Sequence, residues 1–301
     1  MSKKVLVVKG GFSAERDVSL VSGQGIADAL RTEGYEIKEY DLQNVSDFLD
    51  VLRSFQPDVV FNALHGNWGE DGEIQGLLDM LQIPYTHSGL KASAVGMDKQ
   101  LTKLVCRSLG IKTPNGEKTI YRDFKSVGTK VAMPYVIKPV CDGSSVGVYI
   151  IRTADDLKTI KFDDKAEILI EEYIDGKELT VSVLQGKALT ITEMRPRQGF
   201  YDYHAKYTDG ATDHIIPAEV PESAFNDALR SAEKLHRALG CKTVSRCDFR
   251  YNEKDGMVLL EINTAPGMTP LSLVPEQYKY CGGSYSKLCK ILVEEASCRK
   301  M

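Results

Sequence analysis

Val244-Ser245-Arg246-Cys247-Asp248 and Leu259-Leu260-Glu261-Ile262-Asn263 are two alternating runs separated by the polar stretch Asn252-Glu253-Lys254-Asp255-Gly256. They read as strands over 243–251 and 257–263 joined by a hairpin. Side chains two apart on a strand share a face, so Arg246 lies beside Asp248, and Glu261 beside Asn263. If the strands pair, four polar groups converge. Carboxylate and amide oxygens are hard donors that suit Mg²⁺, which often shares its ligands with phosphate oxygens. A solvent-facing antiparallel pair also alternates polar with apolar residues, and on spacing alone that plainer reading has the edge. The continuation, Thr264-Ala265-Pro266-Gly267-Met268-Thr269, tips the balance, because so unusual a loop is where function tends to sit.

Working outward, the N-terminal third reads as α/β. Val5-Leu6-Val7-Val8 is a continuous apolar run, the mark of a strand buried on both faces. A Gly10-Gly11 turn, a helix over 18–32, a strand over 37–41, a helix over 48–55 and a strand over 59–64 follow. Such alternation predicts a parallel sheet with crossover helices. Ligands bind at the carboxyl ends of its strands, which points to the loops 10–17 and 65–72.

The middle of the chain reads as α+β. A helix over 97–109 precedes strands over 135–139 and 146–151, which flank a Gly143-Ser144-Ser145 turn. Thr153-Ala154-Asp155-Asp156 resembles a capping box opening a short helix, and 167–174 is a strand. The glycine-rich turn can present backbone N–H groups to phosphate, and Lys138 on the incoming strand adds positive charge; an ordinary hairpin turn is the plainer reading. In the last third come strands over 179–185 and 188–194, a long polar stretch over 198–217 and a helix over 221–239. A loop that long is usually functional, and its aromatic content favours an ordered one. These shifts suggest units 1–90, 91–178 and 179–301.

Composition sets outer limits. The 301 residues are 43% hydrophobic and 27% charged, with a net charge of -4, so no global basic field draws the chain to nucleic acid or membrane. Seven cysteines without a C-x-x-C pair argue against a disulfide framework or a zinc site. No secretory leader or membrane span is apparent, and a cytoplasmic location is expected.

Taken together, the pieces resemble the D-alanine–D-alanine ligases. The resemblance rests on Gly10-Gly11-Phe12-Ser13-Ala14-Glu15-Arg16, Leu64-His65-Gly66 with Gly69-Glu70-Asp71-Gly72, and Ser88-Gly89 through Met97-Asp98-Lys99. It continues through Val136-Ile137-Lys138-Pro139 with Gly143-Ser144-Ser145-Val146-Gly147, Phe200-Tyr201-Asp202-Tyr203 with Ala205-Lys206-Tyr207, and both strand runs of the C-terminal hairpin. The implied architecture is an ATP-grasp fold, in which an N-terminal parallel-sheet domain precedes central and C-terminal domains that sandwich ATP.

The roles implied by the resemblance are specific. Lys99 and Lys138 neutralise phosphates; Ser145 and Lys206 also contact the nucleotide; Glu171, Tyr173, Ile174 and Glu178 hold adenine and ribose. Asp248, Glu261 and Asn263 bind two Mg²⁺ or Mn²⁺ ions. Glu15 meets the first D-alanine's ammonium, and His65, Ser272 and Leu273 complete the substrate sites. Ser144, Arg246, Tyr207 and the Gly267 backbone serve the reaction, with 198–217 as a lid. A homodimer that joins D-alanine to D-alanine is expected, with D-lactate or D-serine ligation as the neighbouring alternative. Cys141 and Leu271 depart from the common family pattern at positions that carry no ligand role.

Overall fold

Val5, Leu6, Val7 and Val8 are each 0% exposed at the centre of β1 (Lys4–Gly10). This computed structural model describes residues 2–143, 147–197 and 210–300. β1 pairs in parallel with β2 (Glu36–Leu42) on one side and β3 (Val59–Asn62) on the other. Helix α1 (Arg16–Thr32) packs Ile26, Ala27 and Leu30 against this sheet. Helix α2 (Val45–Phe55) starts at Asn44, whose side chain accepts from Asp47 N, and α3 (Glu73–Met80) follows the second ligand-candidate loop. β3 ends two residues before the predicted strand does. Asn62 turns the chain there: its Nδ2 donates to Gly69 O at 2.8 Å, and its Oδ1 accepts from Leu64 N at 3.2 Å.

The predicted helix over 97–109 is α5 (Lys99–Ser108), and a further short helix that the sequence-based outline lacks, α4 (Leu90–Met97), precedes it. Asp98 divides them with an extended backbone and caps α5 by accepting from Leu101 N at 2.9 Å. The break matters for function, because it sets Lys99 at the start of a helix. β4 (Gly116–Ile120), β5 (Tyr135–Pro139), β6 (Tyr149–Ile151) and β7 (Glu167–Glu172) form an antiparallel sheet in the order β4-β7-β5-β6. β4 and the following α6 (Tyr121–Val127) are additions to the sequence-based outline. The helix expected after Thr153 is a single 3-10 turn, Asp156–Thr159. Asp156 does accept from Thr153 N at 2.7 Å, but also from Arg152 N, so it closes a local turn and not a longer helix.

A second antiparallel sheet has the order β10-β9-β8-β11-β12. It contains β8 (Lys177–Leu184), β9 (Lys187–Pro196), β10 (Thr212–Ile215), β11 (Val244–Asn252) and β12 (Gly256–Asn263). β10 corrects the reading of 198–217 as one uninterrupted loop. It is a four-residue edge strand held by backbone pairing to β9, so it needs no apolar period to form. Residues 198–209 lie outside the described residues. Helix α7 (Glu222–Leu239) covers the sheet with Ala228, Ala232 and Leu235, and Gly240 closes it in the left-handed conformation.

Two C-terminal helices, α8 (Leu273–Tyr280) and α9 (Tyr285–Glu294), complete the chain. Leu288, Leu292 and Val293 of α9 return to the core built on β1, where they meet Val5, Val7 and Phe61. α8 is anchored on the second sheet by Gln277, which is fully buried. Its amide accepts from Ser182 N at 2.9 Å and donates to Thr180 O and Thr192 Oγ1, each at 3.0 Å. Ser182 sits where the β8–β9 register slips, and Gln277 satisfies the N–H displaced there. Gln277→Leu is expected to destabilise the protein by about 1–3 kcal/mol, because that N–H is left buried without a partner. Urea unfolding measures it; a change below about 0.5 kcal/mol would deny the anchor.

Candidate active site

Two clefts meet between the three sheets. The first is an open cleft of about 1030 Å³, solvent-filled space at its mouth included, and runs from Glu15, His65 and Glu70 at the N-terminal sheet to Arg246, Asn263, Gly267, Ser272 and Leu273. The second, about 890 Å³, is a slot between the central and C-terminal sheets, lined by Val136, Ile150, Leu260 and the 171–174 segment. Lys99, Asp142, Gly143, Asp248 and Glu261 line both, so the clefts join at a charged neck.

The β11–β12 hairpin forms that neck. Its strands pair with Arg246 opposite Asn263 and Asp248 opposite Glu261, and a bulge follows at Asp248/Phe249. All four polar groups therefore share one face, as alternation requires. Arg246 grips Asp248 with two bonds, Nε to Oδ1 and Nη2 to Oδ2, each 2.9 Å. Thr180 Oγ1 donates to the same carboxylate at 2.6 Å. Asn263 Oδ1 accepts from Ala265 N at 3.0 Å, which shapes the loop leading to Gly267. Lys99 Nζ lies 3.6 Å from Glu261 Oε2 and also donates to Asp142 O. Among the described residues no three His, Cys, Asp or Glu side chains cluster as a self-sufficient metal cage. Two carboxylates and one amide oxygen fit a hard cation that takes its remaining ligands from an anionic ligand.

The slot is organised by a buried carboxylate. Glu171 is 2% exposed on β7, flanked by Lys138 on β5 at 2.8 Å and by Lys103 on α5. Burial pushes Glu171 toward protonation, but Lys138 and then Lys103 outweigh it and hold the carboxyl below its usual range. Burial likewise opposes the charge on Lys138, yet Glu171 and Glu261 prevail and raise it. For Lys103 burial wins over Glu171, and its ammonium is pushed down to about 8. Glu171 can thus only accept hydrogen bonds. At the slot's mouth Arg250 Nη2 holds Glu178 at 2.6 Å.

At the other end, Glu15 precedes α1 and is buried at 7% exposure. Its Oε2 lies so near Gly66 that a side-chain carbon there would stand 3.0 Å away, and Gly66 also has φ of +67°. The positive φ favours glycine, and the nearby carboxylate leaves little room for a side chain. His65 Nε2 is 3.2 Å from Ser22 Oγ, and its Nδ1 is 3.4 Å from Glu70 Oε1. Burial works against the imidazolium, but Glu70 and then Glu15 overcome it, and His65 titrates above 6.5. A raised folded value means the fold favours the protonated ring. That contribution is complete below 6.5 and is lost as pH rises through the folded value. His65→Gln should flatten the stability–pH curve over that window; an unchanged curve from thermal unfolding across pH would contradict the assignment.

The comparisons with known proteins agree with this geometry. Residues 109–294 match the family described as D-ala D-ala ligase C-terminus, and residues 50–88 match D-ala D-ala ligase N-terminus. The chain belongs to the D-alanine–D-alanine ligase family. A D-alanine–D-alanine ligase of Parvibaculum lavamentivorans is 47% identical over 99% of this chain and 98% of its own length. That of Zymomonas mobilis is 48% identical, covering 98% and 94%. Among solved structures, the Bacillus anthracis D-alanine–D-alanine ligase complexed with ATP superposes with a TM-score of 0.84 at 33% identity, over 98% of this chain and 97% of that one. The Enterococcus faecalis VanG D-Ala:D-Ser ligase gives 0.82 at 27% identity, over 98% and 99%. The fold is therefore the ATP-grasp fold of the D-alanine–D-alanine ligases.

Within this ligase fold, Lys99, Asp248 and Glu261 stand at the neck. Lys138, Glu171, Tyr173, Ile174 and Glu178 line the slot, while Glu15, His65, Arg246, Asn263, Gly267, Ser272 and Leu273 line the larger cleft. Ser144, Ser145, Lys206 and Tyr207 lie outside the described residues. Glu70, Lys103, His214 and Arg250 are among the lining or supporting groups that carry no role in the sequence-based reading. Lys103 was legible, since it follows Lys99 by four and shares its helix face. His214 carried no local signal.

Proposed function

We propose that the protein joins two D-alanine molecules at the expense of ATP, through a D-alanyl phosphate, releasing ADP and phosphate. The observation that carries this reading is the neck where an apolar slot and a polar cleft share Lys99, Asp248 and Glu261. A nucleotide in the slot and an amino acid in the cleft would meet there. The names of its relatives supply the substrate class, and the ATP-complexed neighbour supplies the nucleotide.

In this reading the slot takes adenine between Val136, Ile150 and Leu260, with Glu171 accepting from its exocyclic amine and Glu178 from the ribose. Asp248, Glu261 and Asn263 hold two Mg²⁺ or Mn²⁺ ions, which when bound neutralise phosphate oxygens. Glu15 pairs with the ammonium of the first D-alanine and turns its carboxylate toward the γ-phosphate. Lys99 and Lys138 offset the repulsion between two anions. The second amino acid places its carboxylate at Ser272 and Leu273. Its amine, once neutral, attacks the acyl carbon, Arg246 and the Gly267 backbone stabilise the oxyanion that forms, and phosphate leaves as it collapses. Exclusion of water protects the acyl phosphate from hydrolysis, a task assigned to the segment bearing Lys206 and Tyr207, while Ser144 is counted among the groups that serve the reaction. The enzyme is read as a cytoplasmic homodimer that supplies the dipeptide for peptidoglycan precursors.

Phosphate release with ATP, Mg²⁺ and D-alanine tests the reading, with the dipeptide identified by mass. No D-alanine-dependent phosphate would overturn it. Preference for D-lactate or D-serine over D-alanine as second substrate would overturn the choice of acceptor.

A further inference from the structure

His214 stands on the edge strand β10, inside the 198–217 stretch but outside the motifs that carry the family resemblance, and it lines the larger cleft together with Arg246, Gly267, Ser272 and Leu273. Its strand neighbour Asp213 faces the opposite way and is engaged by Arg197 at 2.7 Å, so the imidazole is the group β10 turns inward. The ring is fixed. Nδ1 lies 3.1 and 3.0 Å from the two oxygens of Glu276. Proximity to both carboxylate oxygens identifies Nδ1 as a donor, so the proton sits there and Nε2 is left to face elsewhere. Among the described residues, Nε2 has no hydrogen-bond partner.

Glu276 in turn is rigidly placed. It lies in the first turn of α8, its N–H donates to Ser272 O at 3.0 Å, and the next residue is the buried anchor Gln277. One helical turn, about 5.4 Å, therefore separates the residue that grips His214 from Ser272. The clasp joins the strand at one edge of the sheet to the helix that carries Ser272 and Leu273.

We propose that His214, oriented by Glu276, is a positioning residue for the carboxylate of the second amino acid, acting beside Ser272. This rests on the ligase reading above. A carboxylate placed against Nε2 favours a second proton there, which gives a charge-assisted Nε2–H donor whose charge Glu276 balances on the far side of the ring. The arrangement selects an acceptor that bears a carboxylate next to its reacting amine. The donor amino acid, which is held at Glu15, does not depend on it.

The test uses the full-length enzyme with His214→Ala, His214→Asn and Glu276→Gln. D-alanine dependence is resolved into its low-concentration donor limb and its high-concentration acceptor limb, and D-alaninamide serves as an acceptor without a carboxylate. His214→Ala is expected to raise the acceptor KM about tenfold. The donor KM, the ATP KM and kcat should stay within about twofold, and Glu276→Gln should show a smaller rise of the same kind. The preference for D-alanine over D-alaninamide should fall by the same factor of about ten in His214→Ala, a change that a merely structural role would not produce. Donor and acceptor KM rising together, or an unchanged preference between the two acceptors, would overturn the proposal. A fall in kcat with the acceptor KM unchanged would also overturn it, and would cast His214 as a proton acceptor. Absence of any D-alanine-dependent turnover in the unsubstituted protein would instead refute the ligase reading itself.

Discussion

Asp248→Ala is expected to lower D-alanine-dependent phosphate release by about 10³-fold or more while the protein stays folded. The magnitude follows from removing one of two carboxylates at the neck, where charge stabilisation worth several kcal/mol is concentrated. The fold survives because Asp248 faces the cleft and not the core: its neighbours Cys247 and Phe249 carry the packing, at 0% and 1% exposure. Arg246 borders the cleft that water reaches, and the buried Thr180 hydroxyl keeps a second acceptor in Cys247 O at 3.4 Å. Asp248→Asn keeps the shape and the Thr180 bond at reduced charge, and so separates charge from packing. It should raise the Mg²⁺ concentration required for half-maximal rate. Glu261→Ala belongs to the same experiment, since Glu261 stands opposite Asp248 in the strand register. Circular dichroism and a phosphate assay suffice, and near-native turnover in either alanine variant would refute the metal assignment.

Arg246→Ala is expected to reduce kcat and kcat/KM together by about 10²–10³-fold, the loss that follows deletion of one donor to a developing oxyanion. A group used only in the transition state lowers both constants equally. Arg246→Lys should recover little. Lysine is a point charge that cannot reproduce the two parallel bonds to Asp248, so its ammonium would not be held at the same place. Because Arg246 and Asp248 form one unit, the double variant Arg246→Ala/Asp248→Asn should be far less impaired than the product of the single effects. Simple multiplication of the effects, or native kcat in Arg246→Lys, would remove Arg246 from the reacting centre.

The two variants also mark how far short-range pattern reaches. Arg246, Asp248, Glu261 and Asn263 were legible because strand period 2 fixes which side chains share a face, and the polar stretch 252–256 implied the hairpin that aligns them. Val5 to Val8 announced a doubly covered strand for the same reason: burial on both faces leaves no room for alternation. Local chemistry also decided smaller matters that the broad periodicity missed. The Asp98 cap starts α5 two residues after the expected start, and Asn62 stops β3 early.

Other features had no local signature. Lys103 and Glu171 come from separate elements, α5 and β7. His214 and Glu276 are 62 residues apart, and Gln277 reaches the slipped register at Ser182 from 95 residues away. The short edge strand β10 and the helices α8 and α9 likewise took their places from the surfaces they cover. By itself, the sequence determined the elements with strong periodicity and the shared face of Arg246, Asp248, Glu261 and Asn263, because each of these is written within one element or one hairpin, and the family, because its short motifs follow one another in order along the chain. Only the tertiary structure decided that the hairpin face looks into a cleft, that Glu171 sits between two lysines, and that an imidazole from the sheet's far edge lines the same cleft as Ser272 and Leu273. The physical reason is that a side chain's period fixes its face within an element, whereas the partner across a cleft is chosen by the packing of whole sheets and helices, a sum over many contacts that no single stretch of chain encodes.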